Sequence, residues 1–115
     1  MPEKIKIVLE SLIAYNSREF LRFKSYYDDA CTFRYASHDK VLTMEEVFTF
    51  YESSFESSPN AHCDVVNITC AGEYVSVHER FTGILDSNGK ETTPETIAVY
   101  KIHNQKIIEL RHHFT

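Results

Sequence analysis

The chain has 115 residues, enough for one domain around one core, and it is 43% hydrophobic and 25% charged, an ordinary globular balance. Its net charge of -5, with the basic residues spread out, argues against nucleic acid as the main partner, because phosphate binding needs a clustered positive surface. The apolar runs are only a few residues long, too short to span a bilayer. Met1-Pro2-Glu3-Lys4 opens directly into an amphipathic pattern without a signal-peptide core. Cys31, Cys63 and Cys70 are an odd number without framework spacing, so reduced thiols in a cytoplasmic protein are expected.

Ile5, Val8, Leu9 and Leu12 recur at helical spacing and predict a first helix that stops near Asn16. Ser17 is placed to cap a second helix, with Phe20, Phe23 and Tyr27 as its buried stripe and Asp28-Asp29 as its break. Cys31 to Ala36 reads as a short strand and Ser37 to Lys40 as a loop. Thr43 and Glu46 form a capping box for a third helix carrying Met44, Val47, Phe48, Tyr51 and Phe55, which dissolves in Ser57-Ser58-Pro59-Asn60.

The pattern then changes to period two. His62 to Cys70, Tyr74 to Leu85, Thr92 to Ile102 and Lys106 to Phe114 predict four long strands, with Asn88-Gly89 as a strong hairpin signal between two of them. The short connections imply an antiparallel meander. Three helices followed by strands give an α+β domain over residues 1–115, with the helices packed on one face of a strongly curved, mainly antiparallel sheet.

This order of elements resembles the nuclear transport factor 2-like superfamily, particularly its SnoaL-like members. The likeness is carried by Tyr26-Tyr27-Asp28-Asp29-Ala30, Gly72-Glu73-Tyr74-Val75-Ser76-Val77, Phe81-Thr82-Gly83 and the ending Lys106-Ile107-Ile108-Glu109-Leu110-Arg111-His112-His113-Phe114. It implies a cone-shaped cavity between the helices and the concave sheet face, and frequent homodimers through the sheet. The activities it implies are varied (isomerases, cyclases, epoxide hydrolases, dehydratases and non-catalytic binding domains), so fold alone does not give the reaction. Ketosteroid isomerases would place a carboxylate base near Arg34, an acidic donor near Ala98 and a helix-one tyrosine near Ser11; this chain has none of the three. Limonene epoxide hydrolases would place Arg near Glu79 and Asp near Phe81 and His112, which does not match either. SnoaL-like cyclases use an acidic residue of the last strand at or near His112, where histidine keeps the proton-transfer capacity and changes the charge.

Strand parity nominates the site. Ile108, Leu110, His112 and Phe114 share one face of the last strand, which sets a single imidazole among apolar residues. In Tyr74 to Leu85 the apolar parity places Glu79 between Val77 and Phe81, where desolvation should raise its pKa. Glu79 and His112 are therefore the candidate acid/base pair, one removing a proton and the other returning it or holding an oxyanion. Arg34 is the candidate anchor for a carboxylate or enolate, and Tyr15, Tyr100, Asp64 and Phe81 are further candidates for substrate contact. The competing reading is that Glu79, His112 and Arg34 pair with one another in a narrowed core.

On the opposite parity, His78, Arg80, Lys101, Glu109, Arg111 and His113 suit either a solvated ion-pair face or a polar homodimer interface. His112 and His113 point to opposite faces, and His62 with Asp64 lacks a third ligand, so no metal is expected. Cys63 reads as an inert buried thiol. With no glycine-rich phosphate loop, no cofactor is expected. Two functions follow: cofactor-free isomerisation, cyclisation or dehydration of a small apolar or aromatic metabolite, or a non-catalytic ligand-binding or dimerisation module with a residual pocket.

Overall fold

The computed structural model describes residues 2–36 and 40–114; of the expected loop at Ser37 to Lys40, positions 37–39 lie outside the described residues. Helix α1 (Glu3–Asn16) buries Val8, Leu12 and Tyr15. Ser17 closes α1 as its C-cap, donating its backbone N–H to Ile13, and does not cap the next helix as expected. Arg18 follows at φ 56, a left-handed turn that delays α2 (Phe20–Ser25) until Glu19 can serve as its N-cap. Only Phe23 of α2 is fully buried.

Strand β1 (Tyr27–Tyr35) begins four residues before the expected Cys31. Asp28 does not break a helix; its side chain accepts the Ala30 N–H at 2.9 Å, and the ladder shifts register between Tyr27 and Thr32. This local Asx bond lets the strand carry an irregular segment and still turn Tyr27, Cys31 and Phe33 inward. After β2 (Leu42–Thr43) comes α3 (Met44–Ser57). Its capping box is as read from the sequence: the Thr43 side chain accepts from the Glu46 N–H, and Glu46 accepts from the Thr43 N–H.

The long strands are β3 (His62–Ala71), β4 (Tyr74–Thr82), β7 (Glu95–His103) and β8 (Lys106–Phe114). They join β1 and β2 in a six-stranded sheet of order β2-β1-β8-β7-β4-β3. All neighbours are antiparallel except β1 and β8, which run parallel. The sheet is curved and does not close, and the helices fill its concave side in an α+β cone.

Two expected strands prove shorter. Gly83 sits at φ 70, and a Cβ there would lie 2.3 Å from the Asn60 carbonyl oxygen. The chain bends at that close approach, so β4 ends at Thr82. Residues beyond it pair as a separate hairpin, β5 (Ile84–Leu85) with β6 (Glu91–Thr92). The turn between them has the Gly89 N–H on Asp86 O at 3.0 Å. Leu85, expected inside, is exposed. In β8 a register shift opposite Lys101 and Ile102 turns Ile107 inward in place of Ile108, after which Leu110 and His112 point inward as expected. An extra residue in one strand reverses the parity of everything before it.

The outer face of the sheet carries ion pairs. His78 lies 2.7 Å from Glu95, Arg80 lies 3.9 Å from the same carboxylate, and Arg111 lies 2.7 Å from Glu109. No helix among the described residues is long and apolar enough to cross a membrane.

Candidate functional site

The concave face holds a cavity of about 550 Å³. Tyr15 of α1, Val47, Phe50 and Tyr51 of α3, and Tyr35, Phe81, His112 and Phe114 of the strands line it, with Leu42 and Ile84 nearby. Helix α3 presents Val47, Phe50, Tyr51 and Ser54 at i, i+3, i+4 and i+7, one helical face, which is why a single helix supplies a whole wall. Phe50 (64% exposed) and Phe114 (55% exposed) form an apolar rim.

His112 is buried, 6% exposed. Its ring packs 5.4 Å from Tyr35 and 6.0 Å from Phe114 at interplanar angles of 17° and 20°. Tyr35 and Phe114 are themselves 6.2 Å apart at 18°, so three near-parallel rings form one shelf. The shelf follows from register: Tyr35 is the parallel partner of His112, and Phe114 is two residues further on the same face of β8. Neither ring nitrogen of His112 has a hydrogen-bond partner among the described residues. Burial first, and the nearby His113 second, push its pKa down to about 4, so the imidazole is neutral at pH 7.

Glu79 is completely buried. The Tyr100 hydroxyl donates to it at 2.5 Å and the Thr96 hydroxyl at 3.3 Å. Burial pushes its pKa up to about 7, against the pull of those two donors, which favour the charged form. Glu79 does not line the cavity; it lies behind it. Tyr15 and Tyr51, which do line it, both have pKa values raised mainly by burial and in part by the Glu79 charge.

The structure turns Glu79 and His112 to the same interior but does not join them. Strand β7 runs between β4 and β8, so about 10 Å of sheet separates their backbones. They share neither a hydrogen bond nor an ion pair, and Glu79 is not among the causes that shift His112. The mutual pairing of Glu79, His112 and Arg34 is likewise not formed.

Arg34 and Asp64 are placed away from the site. Phe33 points inward, so the pleat turns Arg34 out, where it is exposed beside Arg111 in the parallel register. Cys63 points inward, so Asp64 is exposed, 3.2 Å from His62. Tyr15 and Phe81 line the cavity, while Tyr100 does not and is hydrogen-bonded to Glu79 behind it. Among the described residues no group of three His, Cys, Asp or Glu is placed to hold a metal ion. All three cysteines are free, and burial raises the pKa of Cys31 to about 12 and that of Cys63 strongly.

Comparison with known proteins places the fold. Residues 8–110 match the SnoaL-like domain. The chain belongs to the SnoaL-like domain family. AclR from Streptomyces galilaeus, named as a candidate hydroxylase, superposes with a TM-score of 0.86 at 12% identity, over 98% of this chain and 89% of that one. A candidate SnoaL-like polyketide cyclase from Jannaschia sp. CCS1 gives 0.81 at 17% identity, over 97% and 85%. TerC, crystallised with polyporic acid, gives 0.80 at 12% identity, over 99% and 92%. These likenesses establish the shared cone and nothing finer. No curated protein matches the sequence.

Within this SnoaL-like cone, sequence reasoning took Tyr51 first as core and missed Tyr35 and Phe50 as lining residues, and the donation from Tyr100 and Thr96 to Glu79. Thr96 and Tyr100 share the inward parity of β7 with Ala98, so the pairing was accessible from the strand pattern. Phe50 was not, because it lies off the buried stripe of its helix and faces the rim.

Proposed function

We propose that this protein binds a small, mainly apolar molecule in the cone, with His112 as the group that meets its polar part. The observation that carries this reading is a neutral imidazole lining an apolar, aromatic cavity, with both nitrogens buried and without a partner among the described residues. Leaving such atoms unpaired costs about 1–3 kcal/mol, and a ligand that offers a donor and an acceptor recovers it. The ring shelf of Tyr35, His112 and Phe114 favours a flat ligand body. A cavity of about 550 Å³ suits a ligand of metabolite size.

A second reading makes the pocket a cofactor-free isomerase, cyclase or dehydratase. Its support is Glu79, whose pKa of about 7 suits both giving and taking a proton at neutral pH. On that reading His112 takes a proton from one position of the ligand and returns it at another, and Glu79, which does not line the cavity, answers the change of charge by exchanging its proton within the Tyr100 and Thr96 bonds. Against it, Tyr100 and Thr96 already satisfy the carboxyl, as a binding module with a residual pocket would have it. A homodimer through the outer sheet face belongs to the same proposal; Ile97, exposed among its charged residues, supports it, and a monomeric mass by light scattering would discard it.

The test of binding is NMR titration of the free protein with small aromatic alcohols. Binding should shift the His112 ring signals, and His112→Phe should weaken affinity roughly ten-fold, the value of one buried hydrogen bond. Shifts confined to the outer sheet face would refute the reading.

A further inference from the structure

The charges around the cone decide what kind of polar group it accepts. Among the described lining residues the formal charge is negative: Glu46, at the rim, 3.3 Å from the exposed Lys40. The basic side chain of the lining, His112, is held neutral by burial. Arg34, which would have anchored an anion, is exposed on the other face.

Six aromatic rings turn toward the space: Tyr15, Tyr35, Phe50, Tyr51, Phe81 and Phe114. Ring faces carry partial negative charge and attract cations. Two residues before Phe81 on the same face of β4, with Phe81 itself 5.9 Å from the Tyr15 ring, lies the Glu79 carboxyl, held by two hydroxyl donors and paired with no cation among the described residues. A carboxyl buried beside an aromatic cavity without a counter-cation is pushed toward its neutral form, and a cation in the cavity would favour the ionised one.

We propose that the cavity selects an organic ammonium ion carried on an apolar body over neutral or anionic ligands of the same shape, with Glu79 as its counter-charge behind the cavity wall. The inference rests on the reading of the cone as a ligand cavity and deepens it. The competing charge is Arg18. Its guanidinium lies 3.9 Å from the Phe55 ring centroid and 4.8 Å from that of Tyr15, and two of its nitrogens are buried without hydrogen-bond partners among the described residues. It donates to the Tyr15 and Ala61 carbonyls at 3.3 and 3.4 Å and does not line the cavity.

The ionised form of Glu79 attracts the cation, so binding is linked to its proton. The groups that face it are Tyr15 of α1, Tyr27 of β1, Tyr51 of α3, Cys63 of β3, and Tyr100 and Thr96 of β7. Burial pushes the four phenols and the thiol upward, so they stay neutral while Glu79 titrates. Ammonium affinity therefore falls as the pH drops and Glu79 is protonated.

The experiment is calorimetric titration of the full chain with phenethylammonium, phenethyl alcohol and phenylacetate. The ammonium ion should bind about ten-fold tighter than the alcohol, the effect of one charge acting through a partly screened interior. Glu79→Gln should bring it down to the level of the alcohol. Should that variant not fold, the wild-type protein supplies the same answer: the ammonium-to-alcohol ratio should shrink between about pH 8 and about pH 5. Equal affinities at both pH values overturn the inference and leave the ligand cavity standing. Tightest binding of phenylacetate overturns it in favour of Arg18. If none of the three binds, the ligand-cavity reading fails with it.

Discussion

The hydroxyl of Tyr100 lies 2.5 Å from a carboxyl oxygen of Glu79, although Tyr100 is paired across the ladder with Val75, four residues earlier on β4. The phenol therefore leans along the inner face of the sheet past Val77 and Ala98, and it supplies the shorter of the two hydrogen bonds to a carboxyl that no water reaches. Removing it leaves that carboxyl with Thr96 alone. Tyr100→Phe should destabilise the protein by about 1–3 kcal/mol and move the Glu79 pKa further up, because the lost donor favoured the charged form. Urea unfolding and carbon-13 NMR of the Glu79 carboxyl measure the two effects.

Glu79 and His112 push stability in opposite directions with pH. Folding raises Glu79 from 4.5 to about 7, so its contribution is fully present below pH 4.5 and is lost as the pH rises through 7. Folding lowers His112 from 6.5 to about 4, so its contribution is present above pH 6.5 and is lost as the pH falls through 4. Each slope approaches about 1.4 kcal/mol per pH unit, and between 4.5 and 6.5 they largely cancel. In that window Glu79→Gln should become more stable with rising pH, and His112→Phe less stable. Denaturation midpoints at several pH values check this; parallel profiles for the two variants would contradict it.

His112→Phe should also raise stability near neutral pH, by about 1 kcal/mol or more, because it removes two buried nitrogens that find no partner among the described residues. The same substitution should weaken ligand binding. A residue that costs stability and serves binding gives this pairing of effects; loss of both stability and binding would mark His112 as a packing residue.

Gly83→Ala should be among the most damaging single changes. The position needs φ 70, and the added methyl would meet the Asn60 carbonyl at 2.3 Å. A loss of about 2 kcal/mol or more is expected, with hydrogen exchange rising first in the β5–β6 hairpin. Thr43→Ala should cost about 1 kcal/mol through the lost helix cap and loosen the α3 wall of the cavity. Thermal unfolding measures both.

Much of the fold was legible because periodicity is local. The α3 capping box, the parity of β4 around Glu79 and the inward turn of Leu110 and His112 all follow from residue types at fixed spacing. What failed were places where one residue shifts a register. The irregular start of β1 at Asp28 belongs to its pairing with the distant β8, the bulge near Ile107 adds one residue inside the β7–β8 hairpin that alternation does not announce, and the Gly83 bend depends on Asn60, 23 residues earlier in the sequence. In the site, parity gave the right face for Glu79 and His112, while Arg34 and Asp64, nominated without it, are exposed. Those two lie beside Phe33 and Cys63, which turn inward; Cys63 was read as buried, but that reading was not carried to its neighbour Asp64. The distance between Glu79 and His112 depended on strand order, which alternation within a strand does not encode.

The account depends on His112 being a neutral, partner-free imidazole that a ligand can reach. The direct measurement is the pH titration of its ring by NMR, in the free protein and with phenethyl alcohol added. The account predicts no protonation until the pH nears 4, together with ring shifts on addition of the alcohol. A titration close to 6.5 with no response to the alcohol would contradict it.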